Sequence, residues 1–253
     1  MSPATGAALV TGGAQRLGAV IVKTVAKTGR AVVIHYNRSR EAAEALRRDV
    51  IAAGGAAFLL ACDLTDTGQV ETVIERATAL AGPLDVLVNN AARFVFDAPR
   101  NVNANSMAAH FAPNLVAPVL LARDFAIARG PAPAAIINLL DQKLFNLNPD
   151  FFSYTLSKAA LAAATEMLAM AFAPHVRVCG VAPGLTLIAE RQSQENFSRG
   201  QAATPLRRGS TPEDIARAVR FIIETPSVTG TVLTVDAGEH LMHRQRDVSV
   251  DPM

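Results

Sequence analysis

The sequence has little of what disulfide-stabilised or metal-binding proteins need. Its 253 residues include no tryptophan, two cysteines and five histidines. Two cysteines are too few for a disulfide framework, and no Cys/His cluster has the spacing of metal ligands, so no metal is expected. Cys62 and Cys179 each lie near the end of an apolar run, where a buried, unreactive thiol is the expected state.

Neither the charge nor the apolar runs indicate a nucleic-acid or membrane partner. The formal net charge is +2 with acids and bases intermixed, whereas nucleic-acid binders usually cluster basic residues on one face. The densest basic segment, 243–247, is expected to be a solvated tail. The N-terminus has no basic stretch followed by an apolar one, which argues against a signal peptide. The most apolar long segment, 159–173, is too short to span a bilayer and contains Thr165 and Glu166, so we expect a cytoplasmic protein.

Short apolar runs alternate with longer helical patterns along the chain, and no linker-like segment divides it. Strands are predicted at 7–10, 31–36, 56–61, 84–89, 134–140, 176–181 and 231–235, and helices at 16–28, 40–53, 66–81, 103–129, 152–173 and 211–224. Several strands are almost continuously hydrophobic, which is typical of strands covered on both faces. The length permits one or two domains. The pattern favours a single α/β domain, 1–253, with a doubly wound parallel sheet of about seven strands and helices on both faces.

Two segments break this alternation, and both follow predicted strands. Residues 91–102 follow the fourth strand and residues 183–210 follow the sixth. Connections this long are usually functional loops, and ligands of open α/β sheets bind at the carboxyl ends of the strands, so 183–210 is the predicted substrate loop. The helix after it is predicted to begin with a capping box formed by Ser210 and Glu213, with Pro212 in the first turn.

The first strand runs into a glycine-rich segment, TGGAQRLG at 11–18. Such a turn lets the backbone approach a pyrophosphate and directs helix N–H groups toward it, although a purely structural tight turn is the alternative. Its position directly after the first strand favours a dinucleotide site.

The end of the second strand, HYNRS at 35–39, distinguishes the two nicotinamide cofactors. Enzymes that use NAD usually have an acidic residue there, which binds the ribose 2′-OH. This chain has no acid at that point. Arg38 and Ser39 are placed to bind a 2′-phosphate through charge-assisted hydrogen bonds, unless Arg38 only begins the next helix in solvent. NADP(H) is therefore the favoured cofactor.

Over nearly the whole chain, these motifs resemble those of the short-chain dehydrogenases/reductases. In order, they are TGGAQRLG (11–18), CDLT (62–65), NNAA (89–92), Asn114, YTLSK (154–158) and PG (183–184). The resemblance implies a Rossmann-like fold, an oxidoreductase activity and a small-molecule substrate.

The resemblance also implies roles for individual residues. Tyr154 would be the general acid/base, and Lys158 would bind the nicotinamide ribose and lower the pKa of the tyrosine, which is about 10 in a free phenol. These two residues are four apart and so share one helix face. Asn114 would hold a water that links Lys158 to solvent. The residues implied in cofactor binding are Thr11, Gly12, Arg16, Leu17, Gly18, Tyr36, Asn37, Arg38, Ser39, Asp63, Leu64, Asn89, Ala91, Tyr154, Lys158, Pro183, Gly184 and Thr186.

Two positions depart from the common family pattern. A serine usually precedes the tyrosine by thirteen residues and hydrogen-bonds the substrate carbonyl, but here that position is Asp141. Arg16 stands where the glycine motif usually has another glycine. Together with HYxRS after the second strand, these departures resemble the pteridine reductases and dihydromonapterin reductases, whose substrates are pterins and, in some members, dihydrofolate.

This narrower resemblance implies how the substrate is held. Arg16 would contact the cofactor phosphates and the pterin, and Phe94 would stack on the pterin face opposite the nicotinamide. The implied substrate-binding residues are Arg16, Ala92, Phe94, Asp141, Tyr154 and Leu185. Those reductases often have a serine where this chain has Ala92, so one polar contact to the ligand is missing.

Asp141 admits more than one role. It could orient Tyr154 or relay a proton through water. As a donor it would need a pKa raised by burial, which Lys158 would oppose, so Tyr154 is the expected direct donor. The alternative is a structural pairing of Asp141 with Lys143, Arg16 or a backbone N–H at the strand end.

The predicted function is NADPH-dependent reduction of pterins, with the physiological direction left open. A carbonyl reductase acting on a ketone or a 3-oxoacyl thioester is the alternative, and the missing serine and Phe94 count against it. A cofactor-binding regulator with a degenerate site is a further alternative, which the presence of Asn114, Tyr154 and Lys158 disfavours.

Members of the family usually assemble as tetramers through two long helices, which correspond here to 103–129 and 152–173. The resemblance therefore implies a homotetramer, in which the small residues at 159–165 allow close helix approach unless they only pack on their own sheet. The tail from His240 onward is predicted to reach a neighbouring subunit's active site.

Overall fold

The computed structural model describes residues 6–189 and 192–250. Its strands are β1 Ala7–Val10, β2 Ala31–Tyr36, β3 Ala57–Ala61, β4 Leu84–Asn89, β5 Ala134–Leu139, β6 Val176–Pro183 and β7 Val232–Val235. They form one parallel sheet in the order β3-β2-β1-β4-β5-β6-β7. The predicted strands and the predicted doubly wound α/β fold are confirmed.

Helices cover both faces of the sheet. They are α1 Arg16–Ala26, α2 Arg40–Ala52, α3 Thr67–Val70, α4 Val73–Ala81, α5 Ala104–Phe111, α6 Ala117–Arg129, α7 Phe152–Phe172, α8 Gln194–Ala202 and α9 Pro212–Glu224. The helix predicted at 66–81 is divided into α3 and α4, and the one predicted at 103–129 contains a π-helical turn, Ala112–Val116. The sequence did not predict α8 inside the 183–210 connection. Its single buried residue is Gly200, so it presents no apolar stripe.

The capping box of α9 lies one residue later than predicted. Thr211 Oγ1 accepts the Asp214 N–H at 3.1 Å, and Asp214 Oδ2 accepts the Thr211 N–H at 2.9 Å. Two hydroxyl–carboxylate pairs with the same spacing overlap here, and the second pair forms the cap. Pro212 occupies the first turn as predicted. The Ser210 hydroxyl instead forms a 2.7 Å hydrogen bond with that of Thr186, which ties the start of α9 to the segment after β6.

Strand β1 shows why its sequence is apolar throughout. Ala8 and Val10 belong to the apolar cluster that includes residues of α1 and α9. Ala7 and Leu9 belong to the cluster on the other face, with residues of α4 and α6. Because successive side chains point to opposite faces, a strand covered on both sides has no polar positions.

Within residues 6–189 and 192–250, one helical stretch, Ala104–Arg129, is long and apolar enough to cross a membrane by length and composition alone. It consists of α5, the π turn and α6. Leu121 and Phe125 of this stretch are buried in the core cluster that includes strand residues. These two side chains therefore pack this stretch against the sheet.

The order of the strands reverses between β1 and β4, and a crevice opens at their carboxyl ends. The glycine-rich turn follows β1, segment 91–102 follows β4, Asp141 follows β5, and Gly184 follows β6. The topology therefore brings the predicted site segments to one edge of the sheet.

Candidate active site

A cavity of about 520 Å³, called here the main cavity, opens at the carboxyl ends of the central strands. The predicted site residues in its walls are Gly12, Arg16, Leu17, Gly18, Ala91, Ala92, Phe94, Asp141, Tyr154, Lys158, Pro183, Gly184, Leu185 and Thr186. The main cavity is also lined by residues that were not predicted as site residues, including Gln15, Asn90, Gln142, Lys143, Glu239 and Asp247.

A second cavity of about 460 Å³ adjoins the first and shares Gly12 and Gln15 with it. The predicted residues in its walls are Tyr36, Asn37, Arg38, Ser39 and Asp63. The Gln15 side chain donates a hydrogen bond to the Ser39 hydroxyl, and Arg93, which the sequence did not predict, also lines this cavity. Hydrogen bonds from the N–H and hydroxyl of Thr65, with a smaller effect of Arg38, lower the pKa of Asp63.

Four predicted residues are buried and line neither cavity: Thr11, Leu64, Asn89 and Asn114. Thr11 Oγ1 accepts the N–H groups of Asn90 and Ala91 at 2.9 and 3.0 Å. The amide of Asn89 donates to the side chain of Asn138 at 2.9 Å. Thr11 therefore fixes two residues that line the main cavity, and Asn89 is tied to the neighbouring strand β5.

Asn114 lies in the π turn Ala112–Val116 and is fully buried. Its Oδ1 accepts the Arg93 N–H at 2.7 Å, and its Nδ2 donates to the Arg93 carbonyl and to Ser157 Oγ, each at 3.0 Å. Both N–H donors of the amide are therefore engaged in joining segment 91–102 to α7. The water that Asn114 was expected to hold remains a prediction.

The glycine-rich turn is shaped for close approach of backbone groups. Gly12 has a φ of +59°, and a Cβ on Gly18 would lie 2.2 Å from the carbonyl oxygen of Gly12. Arg16, the first residue of α1, also has a positive φ of +53°, a conformation that is uncommon outside glycine and clusters at ligand sites. Its guanidinium donates to the Ile188 carbonyl at 2.8 Å, so it bridges the turn to the segment after β6.

His35 was not predicted as a site residue, yet it fixes the glycine-rich turn. Its Nδ1 accepts the Gly12 N–H at 3.0 Å, and its Nε2 lies 3.1 Å from the Cys62 carbonyl. Because Nδ1 is an acceptor, Nε2 carries the proton and donates to Cys62. Burial lowers the pKa of His35 to about 4, so the ring is neutral at physiological pH. The signal in the sequence was a lone polar residue in an apolar strand.

Asp141 joins the candidate catalytic tyrosine to the end of β5. Its Oδ2 accepts the Tyr154 hydroxyl at 2.8 Å, and its Oδ1 accepts the Lys143 N–H at 2.9 Å. The second bond caps the short 3₁₀ helix Gln142–Phe145. The orienting role and the structural role proposed for Asp141 therefore occur together. Burial raises the pKa of this carboxyl group, and the opposing charge of Lys158 is a smaller effect.

The expectation that Lys158 lowers the pKa of Tyr154 is wrong for this structure. Burial and the charge of Asp141 raise the pKa of Tyr154 well above its usual value. Lys158 Nζ lies 5.8 Å from the centroid of the tyrosine ring and donates to the Leu139 carbonyl at 2.6 Å. Burial lowers the pKa of Lys158 to about 8. The tyrosine is therefore a firmly protonated hydroxyl that donates to Asp141.

Phe94 forms the aromatic part of the main cavity. Its ring meets the Tyr154 ring edge to face with centroids 4.7 Å apart, and it stacks on Phe151 at 4.1 Å. Phe151 precedes α7 with a positive φ of +53°, a strained conformation for a residue with a bulky side chain. Ala92 also lines the cavity and contributes no polar group.

Asp97, in segment 91–102, caps the helix that carries Tyr154. Its Oδ1 accepts the Ser153 N–H at 2.9 Å, its Oδ2 accepts the Ser153 hydroxyl, and its backbone carbonyl accepts the Phe152 N–H at 3.1 Å. Asp97 and Ser153 are both buried. Asp97, which is distant in sequence, thus satisfies the first two N–H groups of α7 through its backbone carbonyl and its side chain.

Because Asp97→Ala would leave a buried N–H and a buried hydroxyl without their acceptor, we expect it to lower the free energy of unfolding by about 1–3 kcal/mol. Asp66→Ala, which removes an exposed cap from the four-residue α3, is the matched control with a smaller expected loss. Urea unfolding of both variants measures the difference. Equal losses would show that Asp97 does not have this special role.

The C-terminal segment does not behave as the sequence predicted. Segment 243–247 is not a solvated tail, because 243–250 packs on its own chain, and Asp247, Val248 and Ser249 line the main cavity. The reach of the tail from His240 onward to a neighbouring subunit's active site stays a prediction. Asp247 forms a 2.8 Å ion pair with buried Lys143. Arg246 forms another with Asp150 at 2.8 Å. Residues 251–253 lie outside the described part of the chain.

Two of the unpredicted residues in the main cavity, Glu239 and Gln142, add hydrogen-bond acceptors to it. Glu239 is buried, accepts the Leu185 N–H at 2.9 Å, and has its pKa raised by burial to about 7. The Oε1 atom of Gln142 is buried and has no hydrogen-bond partner among the described residues. Neither belongs to a motif, so only their position in the fold reveals them. Both enlarge the set of hydrogen-bond acceptors beside Asp141.

Comparisons with known proteins agree with this geometry. A short-chain reductase profile with the description "Enoyl-(Acyl carrier protein) reductase" matches residues 12–240. The structure resembles that of the FolM alternative dihydrofolate reductase 1 of Brucella suis in complex with NADP. That match has a TM-score of 0.92 and 40% identity, and it covers 95% of this chain and 97% of the other.

Curated relatives include proteins with and without an assigned activity. An uncharacterized oxidoreductase of Methylorubrum extorquens is 35% identical, over 91% of this chain and 96% of its own. Pteridine reductase 1 of Leishmania tarentolae is 29% identical, over 95% of this chain and 98% of its own. The extent of the profile match and of these similarities, together with the site geometry, shows that the chain belongs to the short-chain dehydrogenase/reductase family.

Proposed function

We propose that this protein is an NADPH-dependent reductase of pterins that converts dihydropterins to tetrahydropterins and includes dihydrofolate among its substrates. The observation that carries the proposal is the 2.8 Å hydrogen bond from Tyr154 to Asp141, in a cavity that also contains Lys158 and Phe94. The names of the Brucella suis and Leishmania tarentolae proteins support the same substrate class.

The residues present fit an NADP molecule. Gly12 and Gly18 keep the glycine-rich turn tight, since a Cβ on Gly12 would meet Ala91 and a Cβ on Gly18 would meet the Gly12 carbonyl. A pyrophosphate would bind at the N-terminus of α1, which follows this turn. Arg38 and Arg93 line the second cavity, whose positive charges suit a 2′-phosphate. When bound, NADPH supplies the hydride. Pro183, Gly184 and Thr186 line the main cavity beside Lys158, where the nicotinamide end would lie.

Reduction of a ring C=N bond adds a hydride to carbon and a proton to nitrogen, and Tyr154 is placed to hold that proton. Because the pKa of Tyr154 is raised, its hydroxyl stays protonated until the ring nitrogen accepts the proton. A phenolate beside an ionised Asp141 would be strongly disfavoured. We therefore assign a proton to Asp141, whose raised pKa favours the carboxylic acid. Asp141 passes this proton to the Tyr154 oxygen as the tyrosine gives its own proton to the ring nitrogen, and Asp141 is left ionised.

The acceptors of the main cavity suit a ligand that is rich in N–H donors. Asp141, Gln142 and Glu239 all line it, and the Gln142 oxygen has no partner among the described residues. An aminopyrimidinone ring, the fixed part of every pterin, presents several N–H groups that such acceptors can bind. Phe94 supplies a flat surface for the same ring.

A carbonyl reductase that acts on a ketone or a 3-oxoacyl thioester is the second candidate, and the name of a relative that is 28% identical over 91% of this chain, the 3-oxoacyl-[acyl-carrier-protein] reductase of Synechocystis, favours it. Ketone reduction develops negative charge on oxygen, which a hydroxyl donor stabilises. Asp141 stands in place of that donor, and both of its carboxyl oxygens are already engaged, one with Tyr154 and the other with the Lys143 N–H. The ketone reaction is therefore the less favoured one at this site.

The full proposal extends to the assembly and the location of the protein. We place it in the cytoplasm as a homotetramer. Ile127 on α6 and Met167 and Met170 on α7 are large apolar side chains that are 73%, 65% and 68% exposed in the single chain. Their position on the two long helices supports an interface there.

The pH dependence should follow the charge of Lys158. Because burial lowers its pKa to about 8, the ammonium is present at neutral pH and is lost as the pH rises above 8. We expect kcat/KM for NADPH, which reports the free enzyme, to fall about tenfold per pH unit above that point. Initial rates between pH 6 and 10 test this, and a flat profile up to pH 10 would exclude a required Lys158 charge.

An NADPH oxidation assay with dihydrobiopterin, dihydromonapterin, dihydrofolate and a 3-oxoacyl thioester side by side tests the proposed function. We expect at least one dihydropterin to be reduced more efficiently than the thioester. A higher kcat/KM for the thioester than for every pterin would establish the carbonyl reductase instead.

A further inference from the structure

An apolar cavity of about 400 Å³, called here the annex, adjoins the main cavity. The two share Phe94, Ala189, Gln192 and Ser249 in their walls, so the annex continues from the main cavity. The remaining residues that line it are Val95, Phe96, Phe151 and Val250. The volume lies within the range of small-molecule sites, at the lower end, which suits part of a ligand.

The chemistry of the annex differs from that of the main cavity. The main cavity includes Asp141, Lys158 and Glu239, whereas no described residue that lines the annex is charged. Its two polar side chains are already engaged. Gln192 Nε2 donates to Asn196 at 2.7 Å, and Ser249 Oγ donates to Asp247 at 2.6 Å. Hydroxyl groups that entered the annex would therefore find few partners, which makes their burial costly.

The aromatic rings of the annex form a continuous surface that begins at the candidate catalytic tyrosine. Phe94 contacts Tyr154 on one side and stacks on Phe151 at 4.1 Å on the other. Phe96 meets Phe151 edge to face at 5.4 Å. Three consecutive side chains, Phe94, Val95 and Phe96, are 42%, 44% and 38% exposed, an unusual run of exposed apolar residues outside a binding surface.

We propose that the annex binds the substituent arm of the substrate, and that it selects a flat aryl arm over a polyhydroxylated one. This inference rests on the proposed pterin reductase function and specifies the preferred substrate. A pterin ring beside Tyr154 and Phe94 would direct its arm along Phe151 toward Phe96, where an aryl group gains stacking and edge contacts. Among dihydropterins, those with a benzoyl-type arm, such as dihydrofolate, are therefore the favoured class.

The test compares three substrates that share the ring and differ in the arm: dihydrofolate, dihydromonapterin with its hydroxylated arm, and a methyl-substituted dihydropterin. We expect the wild type to have the highest kcat/KM with dihydrofolate. In Phe96→Ala, the ratio of kcat/KM for dihydrofolate to that for the methyl compound should fall by roughly tenfold. Phe221→Ala, in which an exposed phenylalanine on α9 outside both cavities is removed, is the matched control and should keep the wild-type ratio.

Val95→Asn gives a second variant should Phe96→Ala fold poorly, since it places a polar group at an exposed position of the annex. It should lower the same ratio, and circular dichroism confirms that each variant is folded. If the wild type reduces all three pterins with equal efficiency and the ratio survives both variants, the annex does not bind the arm, although the proposed function stands. If the wild type reduces none of them, the proposed function itself is wrong and the annex inference falls with it.

Discussion

Replacing Asp141 by serine should abolish most of the pterin reduction and leave NADPH binding intact. We expect kcat/KM for a dihydropterin to fall by roughly a hundredfold or more, the size of effect that general acid–base groups supply. The reason is that serine cannot return a proton to Tyr154 as a carboxylic acid can. Asp141 contacts Tyr154 and Lys143 only through its two carboxylate oxygens, so the change alters the site without removing a core side chain.

Asp141→Asn tests the proton-donating role of Asp141 separately from its role in orienting Tyr154. Its amide keeps the volume and can still accept one hydrogen bond, but it carries no exchangeable acid proton near neutral pH. Steady-state kinetics with a dihydropterin, together with calorimetric titration of NADPH, give the two readouts. Equal losses in Asn and Ser variants, with NADPH affinity retained, support the proton role, whereas full activity of Asp141→Asn would leave only an orienting role.

Arg38→Asp should reverse the preference between the two nicotinamide cofactors. We expect the ratio of kcat/KM with NADPH to that with NADH to drop by roughly a thousandfold, because a charge-assisted bond is lost and a repulsive charge is gained. The new carboxylate would also accept the ribose 2′-OH of NADH, as acids at this strand end do. Rates with each cofactor at a fixed concentration of the preferred pterin measure the ratio.

Arg40→Asp is the control for this charge change. Arg40 is exposed, pairs with Glu44 on the surface of α2 at 2.9 Å, and does not line the second cavity. Arg40→Asp makes the same change in charge two residues from Arg38. It should therefore alter the cofactor ratio only through the long-range electrostatic effect of that charge, which is small. A similar drop in both variants would mean that net charge, and not a phosphate contact at Arg38, sets the preference.

The parts of the molecule that local patterns specify could be predicted from the sequence. The apolar runs gave strands such as β5, and the glycine-rich segment, Asp141 and Tyr154 meet at one edge because parallel strands end together. Helix α8 was not predicted because its sequence has no clear amphipathic pattern, and Gly200 is its single buried residue.

What could not be predicted depends on contacts between distant segments. The ion pair of Lys143 with Asp247 joins residues 104 positions apart, and no local pattern reports it. The hydrogen bond between His35 and Gly12 of the glycine-rich turn likewise joins two separate segments of the chain. Whether the pKa of Tyr154 is raised or lowered also depends on how deeply the fold buries the residue beside Asp141. Composition and spacing do not reveal this burial.

We propose that Tyr154 and Asp141 together protonate the ring nitrogen of a pterin. The most direct test incubates the wild-type protein with NADPH and a dihydropterin, and measures NADPH consumed by absorbance and tetrahydropterin formed by chromatography. We predict one tetrahydropterin for each NADPH oxidised, and loss of both signals in Asp141→Ser. Stoichiometric product formation by Asp141→Ser at the wild-type rate, or no tetrahydropterin from the wild type, would contradict the claim.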